Sequence, residues 1–329
     1  MILPGTDITL PPIAVSAMYW GTRITIDHAH RLLDHAVDAG AHFVDTADNY
    51  AFWQTGGMGG ESESCLGTWF ATRGPASRDR VTVATKVGAR PASPGGWPAD
   101  ISGLSRDAVF SSVRASLERL RTDRVELVYA HLDDRAVAMA ETVEALQEVV
   151  ARGWARAYGL CNLTADRFDS ALAAVGTGPP PAALQGLHTL LVPAPDVDIA
   201  PQVALDEQHL RLCRAAGVIP VASSTLLQEN DTRDLQRLTE AYEHPVPTAF
   251  DRPGIRRLQQ TVADVATRTG LSAGQVVLAW LAGDPDPVLP VVGISETEQV
   301  DAALRAVTTE LPAEDRARLD TARAELGHA

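Results

Sequence analysis

Cysteine is scarce in this chain of 329 residues: Cys65, Cys161 and Cys213 are odd in number, scattered, and form no Cys-x-x-Cys pair. Their scarcity argues against a disulfide framework or a thiolate metal site and fits a reducing compartment, where each reads as a small buried hydrophobe. Long apolar runs are also missing, so no stretch reads as a membrane span although 45% of the residues are hydrophobic. The start, Met-Ile-Leu-Pro-Gly-Thr-Asp, lacks the basic and then apolar pattern of a secretory leader, and the expected location is cytoplasmic. Basic residues are outnumbered, 28 against 42 acidic ones, for a net charge of −14 without a basic cluster. Nucleic acid and anionic membranes are therefore disfavoured as partners, and any anionic ligand must be held by a local site.

What is present is an alternation. Apolar residues recur at helical spacing after Thr25-Ile26-Asp27, and helix-like stretches follow over 61–73, 105–121, 138–152, 164–174 and 204–216. Between them lie short β-rich runs: Val15–Met18, Phe43–Asp45, Val81–Val87, Val125–Ala130, Ala155–Leu160, Ala183–Leu187, Val218–Ala222 and Val288–Val292. Short, mostly apolar runs are what parallel strands covered on both faces require. Eight of them alternating with helices most economically close into an α/β fold of the (β/α)₈ TIM-barrel type, a single domain over 1–329. An open doubly wound sheet is the alternative, but no Gly-x-Gly-x-x-Gly follows any strand. The segment Ile2–Ile13, with Pro4-Gly5 and Pro11-Pro12, suits an N-terminal hairpin acting as a plug or lid, and Pro312–Leu326 an extra C-terminal helix. Leu226–Gly254 is too long and polar for an ordinary connection and suggests an inserted helix near Thr232–Tyr242.

In a barrel, residues just past the strand ends converge on one face. Asp45 ends the second strand and Tyr50 follows it, Lys86 ends Val81-Thr-Val-Ala-Thr-Lys-Val, and His131 ends Leu127-Val-Tyr-Ala-His. A lysine or histidine in so apolar a strand is costly unless paired, so the economical arrangement has these residues face one another. An ammonium beside a phenol eases its ionisation and suits it to protonate an oxyanion, as carbonyl reduction by hydride requires. The alternative is a structural Asp45–Lys86 ion pair with His131 as a satisfied core histidine.

The sequence resembles the aldo-keto reductase superfamily over nearly its whole length. The resemblance rests on Asp45-Thr-Ala-Asp-Asn-Tyr50, Ser62-Glu63 followed by Leu66-Gly67, Ala84-Thr-Lys86, Tyr129-Ala-His131 and Gly159-Leu-Cys-Asn162. It implies a catalytic tetrad of Asp45, Tyr50, Lys86 and His131, with Tyr50 as general acid. It also implies NADP(H) bound in extended form, with NAD(H) not excluded. By the same resemblance Asn162 and Gln185 grip the nicotinamide amide, and His188 stands where an aromatic stacks on the ring. Ser223 or Ser224 meets the pyrophosphate, while Gly293, Ser295 and Gln299 belong to the segment receiving the 2′-phosphate and adenine. Ala17, Met18 and Asp45 complete the cofactor-binding set. Ala302-Ala303 replaces a usual Glu-Asn pair, and Glu296 and Glu298 flank the phosphate position.

Trp20, Phe52, Trp53 and Trp97 fall in expected loops on the active face and suggest an apolar rim for a small carbonyl substrate in a chain with only 5% aromatics. The run Gly56-Gly-Met-Gly-Gly60 suits a lid or a flexible insertion. Two other functions compete. His28-Ala-His30, with Asp34, His35 and His42 nearby, has the composition of a metallohydrolase site, but it opens a helical segment and no strand precedes it, so no metal is expected. A nicotinamide-nucleotide-binding sensor or partner subunit with little turnover is the other, motivated by His188 and the altered adenine site and opposed by the intact tetrad.

Overall fold

A computed structural model describes residues 1–193, 198–225, 254–283 and 288–327. The expected insertion helix near Thr232–Tyr242 lies outside the described residues. Eight parallel strands form a closed barrel in sequence order: β1 (Ala14–Ser16), β2 (Phe43–Asp45), β3 (Thr82–Val87), β4 (Val125–Ala130), β5 (Ala155–Cys161), β6 (Ala183–Leu187), β7 (Ile219–Ser223) and β8 (Leu289–Gly293). Closure is made by β1 against β8, with Ala14, Val15 and Ser16 opposite Val291, Val292 and Gly293.

Side chains alternate between barrel interior and helix layer with a period of two, and this alternation decides where each site residue points. Phe43, Ala84, Leu127, Tyr129, Val221 and Leu289 form the interior cluster, with Leu3 and Leu10 of the N-terminal segment packed into it. That segment folds back on itself, Leu3 N–H donating to Ile8 O at 2.8 Å, just before β1 begins. It is a plug at the end of the barrel where the strands start.

Val15, Val44, Val83, Val128 and Leu160, on the opposite phase, pack against the helices in the larger cluster. The helices following the first six strands are α1 (Ile26–Asp38), a short α2 (Phe52–Thr55), α3 (Glu61–Arg73), α4 (Arg106–Leu120), α5 (Met139–Ala151), α6 (Ala165–Ala173) and α7 (Glu207–Ala216). Helices α8 (Ile255–Thr269) and α9 (Ala273–Ala282) precede β8, and α10 (Thr297–Val307) and α11 (Ala313–Gly327) follow it. Helix α1 begins at Thr25, whose hydroxyl accepts from the His28 amide, and buries Leu32, Leu33 and Ala36 on one face. Among the described residues no helix is long and apolar enough to cross a membrane.

Helix α3 clamps the site from behind. Ser62 Oγ donates to Ala17 O and lies 2.7 Å from Thr46 Oγ1, while Glu63 accepts from Thr85 Oγ1 and, at 2.7 Å, from Arg119 Nε. A Cβ on Gly67 would stand 2.1 Å from Arg119 O, so only glycine lets α3 and α4 approach this closely. The Ser62-Glu63…Gly67 pattern is thereby a tie between β1, β2, β3 and α4.

Candidate active site

Asp45, Lys86 and Gln185 all stand on the interior phase of their strands, two residues above Phe43, Ala84 and Ala183, and His131 continues that phase two residues beyond Tyr129. Their convergence follows from strand phase alone. Lys86 is fully buried and Asp45 nearly so. The Lys86 ammonium forms a salt bridge with Asp45 Oδ2 and donates to Thr46 O at 3.0 Å and to Tyr50 Oη at 3.0 Å. Three N–H groups meet three acceptors. Gln185 Nε2 donates to the other Asp45 oxygen at 2.9 Å, so both carboxylate oxygens are held.

This pattern fixes the polarity of the phenol. An ammonium has no lone pair, so Tyr50 Oη must accept from it, leaving the phenolic proton for another acceptor. The Tyr50 ring meets the His131 ring edge to face at 5.9 Å, and His131 Nδ1 is buried without a hydrogen-bond partner. An orphaned imidazole nitrogen beside an available phenolic proton forms a polar pair able to receive a carbonyl oxygen.

The electrostatics refine the sequence expectation. Burial pushes Tyr50 up to about 12; Lys86 pulls against this and Asp45 adds to it. The expected easing of ionisation by the neighbouring cation is therefore outweighed, and the phenol stays protonated at neutral pH. Burial also works against the Lys86 charge, but Asp45 and its other neighbours outweigh it and hold the ammonium above the ordinary lysine range. Burial, reinforced by the Lys86 charge, keeps His131 well below the usual histidine value and hence neutral.

A cleft runs from Tyr50, Asp45 and Gln185 past Ser223 and Ser224 to Gly293 and Ile294, with Ser16, Met18 and Tyr19 on its other wall. Asn162 adopts a left-handed φ of 54° at the end of β5, donates through Nδ2 to His131 O at 3.0 Å and accepts at Oδ1 from Val203 N–H at 3.2 Å. Its amide thus braces His131 while keeping one N–H and one lone pair for a ligand. The cleft, lined by Tyr50, Asp45 and Gln185 at one end and by Ser223, Ser224 and Gly293 further along, has the polar lining that a nicotinamide nucleotide would need.

Several expected contacts fall elsewhere. Ala17 is on the outward phase of β1 and fully buried in the helix layer, so it presents no side chain to the cleft. His188, an odd step from Gln185, turns outward: Nδ1 lies 3.1 Å from Leu205 O and the ring stacks on Trp280 at 6.2 Å. It is absent from the cleft wall, so the expected stacking of its imidazole on nicotinamide does not follow from its position. Trp20 is 1% exposed and belongs to the core, whereas its neighbour Tyr19 faces the cleft. The two lie in a turn closed by Trp20 N–H donating to Ala17 O at 3.0 Å, which sends the larger ring into the core and Tyr19 to the cleft.

Phe52, Trp53 and Trp97 do meet, Phe52–Trp53 at 5.1 Å and Phe52–Trp97 at 5.6 Å, and Trp53 reaches both Tyr50 at 6.3 Å and Tyr19 at 6.4 Å. Tyr19 is thus a rim residue that the sequence reading missed. The glycine run is a brace: Gly60 N–H donates to Tyr50 O at 3.1 Å, and a Cβ on Gly59 would stand 2.5 Å from the Asn49 backbone. His28 and His30 are separately engaged, His28 Nε2 with Ser295 O at 2.6 Å and His30 Nε2 with Cys65 O at 3.0 Å. One further signal was available in the sequence. Lys86 is the sole lysine of the chain, all other side-chain cations among its 28 Lys and Arg residues being arginine.

A closed parallel barrel carrying an Asp–Lys–Tyr–His cluster at the strand ends, with a cleft beside it, defines a barrel oxidoreductase. A profile of the Aldo/keto reductase family matches residues 13–324, and the chain belongs to that family, an NAD(P)H-dependent reductase. It is 27% identical over 334 residues to norsolorinic acid reductase stcV of Emericella nidulans, covering 96% of this chain and 79% of that protein. It is 28% identical over 327 residues to the uncharacterized oxidoreductase YrpG of Bacillus subtilis, covering 95% and 92%. Among solved structures, an aldo/keto reductase from Klebsiella pneumoniae in complex with NADP and acetate superposes with a TM-score of 0.71, at 24% identity over 97% of this chain and 94% of that one.

Proposed function

We propose that this chain reduces an aldehyde or ketone to an alcohol, with Tyr50 as the general acid. The observation that carries the reading is the Lys86 ammonium donating to Tyr50 Oη at 3.0 Å while it is tied to Asp45 and Thr46 O. A reduced nicotinamide held along the cleft would supply the hydride that the carbonyl carbon takes up. His131, neutral, orients the carbonyl oxygen, and Tyr50 gives it the phenolic proton as the C–H bond forms. The O–H bond of Tyr50 breaks, and Lys86 compensates the phenolate until solvent returns the proton. Asp45 and Gln185 hold Lys86 in place, Asn162 braces His131, and the aromatic rim excludes water from the reacting centre. Met18, Ser223, Ser224 and Gly293 line the path for the rest of the nucleotide. A binding subunit with little turnover has no use for a fully buried ammonium that orients a phenolic proton.

Tyr50→Phe tests the assignment. Turnover should fall by a factor of roughly 10²–10⁴, as for loss of a general acid, with nucleotide binding kept. A variant that still turns over at near the parental rate removes Tyr50 from the role.

A further inference from the structure

The far end of the cleft decides which nicotinamide nucleotide it takes, and this inference rests on the proposed reductase reading. The cleft ends at Gly293 and Ile294, and α10 starts three residues later, so a nucleotide laid with its reacting ring at Tyr50 would bring its adenosine end towards the α10 N-terminus. A free helix N-terminus would favour a phosphate there through its unpaired N–H groups and dipole. In this chain the two amides leading into the helix are already satisfied from within. Gln299 Oε1 accepts from Ser295 N at 2.7 Å and Glu296 N at 3.0 Å, and Ser295 Oγ stands 3.3 Å away.

The charge around this end has the wrong sign for a phosphate. Glu296, exposed, is the N-cap residue of α10, and Glu298 lies in its first turn. Segment 293–301 contains no lysine or arginine. From α1, His28 Nε2 donates to Ser295 O at 2.6 Å and Arg31 donates to His28 Nδ1 at 3.2 Å, which holds that guanidinium on the imidazole. His35, also from α1, pairs with Asp301 at 2.9 Å, and Asp27 adds a further acid in the first turn of α1. A 2′-phosphate bringing roughly two negative charges would meet the Glu296 and Glu298 carboxylates and find the Ser295 and Glu296 amides already engaged. A ribose 2′-hydroxyl, in contrast, can donate to a carboxylate, the contact by which an acidic side chain selects NAD in dinucleotide sites.

We infer that this chain selects NAD(H) over NADP(H), with Glu296 as the residue that accepts from the ribose hydroxyl and repels the 2′-phosphate. Direct titration of the full chain with NADH and with NADPH, read by tryptophan fluorescence, tests this without any substrate. NADH should bind at least about tenfold tighter at low salt, a gap of about 1.4 kcal/mol, and the ratio should shrink as salt screens the repulsion. Glu296→Arg should bring the ratio to unity or reverse it. Equal or tighter binding of NADPH to the parent chain overturns the inference and leaves the reductase reading standing, as does an unchanged ratio in Glu296→Arg. Failure to bind either nucleotide overturns both.

Discussion

Replacing Lys86 by methionine isolates the energetics on which the site is built. The side chain is fully buried, keeps a similar stem in methionine, and loses only the ammonium that engages Asp45, Thr46 O and Tyr50. Asp45, 1% exposed, is left with Gln185 as its remaining partner. Breaking a buried pair by removing one member costs about 3–5 kcal/mol because the other charge stays desolvated and uncompensated. Lys86→Met should therefore lower the unfolding free energy from denaturant titration by that amount, through a lower midpoint at an unchanged slope. Replacing both partners, in Asp45→Leu/Lys86→Met, removes the uncompensated charge and should recover most of the loss, giving a coupling energy of several kcal/mol in the double-mutant cycle. Neither variant should reduce a carbonyl at a useful rate, so stability returns without activity. A single variant within about 0.5 kcal/mol of the parent, or a double variant no more stable than the single, refutes the claim that this pair is held together against desolvation.

Two more consequences lie on the same loop. Asp48 is fully buried beside Glu63, and burial, then the Glu63 charge, pushes its carboxyl from 3.8 up to about 8 against the pull of Arg119 and Arg90. The Gly88 amide draws it down slightly without making a full hydrogen bond to either oxygen. The folded chain thus holds a proton that the unfolded chain releases near 3.8, so this group's contribution is complete below that value and is lost as pH rises towards about 8. Asp48→Asn should accordingly gain stability over the parent as pH is raised through that window, by up to about 1.4 kcal/mol per pH unit; a constant difference in calorimetry at several pH values would mean Asp48 is not held protonated. Gly59→Ala, at φ +86° and with its Cβ 2.5 Å from the Asn49 backbone, should cost about 1–3 kcal/mol and shift Tyr50 enough to lower kcat, and parental kcat would show that the glycine run does not brace Tyr50.

The strands were readable because each is a short apolar run bounded by polar residues, and seven of the eight stop within one residue of the expected end. Strand phase could be read as well, since Asp45, Lys86 and His131 each lie an even step from an interior residue. What failed were residues just beyond the strands, where alternation continues or is broken by a loop. His188 and Ala17 lie at odd steps and face the helix layer, and the choice between Tyr19 and Trp20 depended on a turn whose geometry no local residue announces. Helices α8 and α9 were not anticipated; α9, Ala-Gly-Gln-Val-Val-Leu-Ala-Trp-Leu-Ala, is buried nearly all round and carries no amphipathic period.

The two ends of the cleft differ in how sequence specifies them. At the reacting end a charge must be buried, and the cost of desolvating it is met only if every donor finds an acceptor. Lys86 meets that condition with three partners from β2 and the loop after it, so its position is fixed by the barrel as much as by catalysis. At the nucleotide end the groups are exposed and no such penalty applies. Glu296 can be exchanged for a neutral or basic residue without disturbing the core, because it is exposed and its side chain serves only the cap of α10. Nucleotide preference is therefore free to vary while the chemistry is not, and a family likeness carried by the buried tetrad implies a nicotinamide cofactor without fixing the choice between NAD(H) and NADP(H).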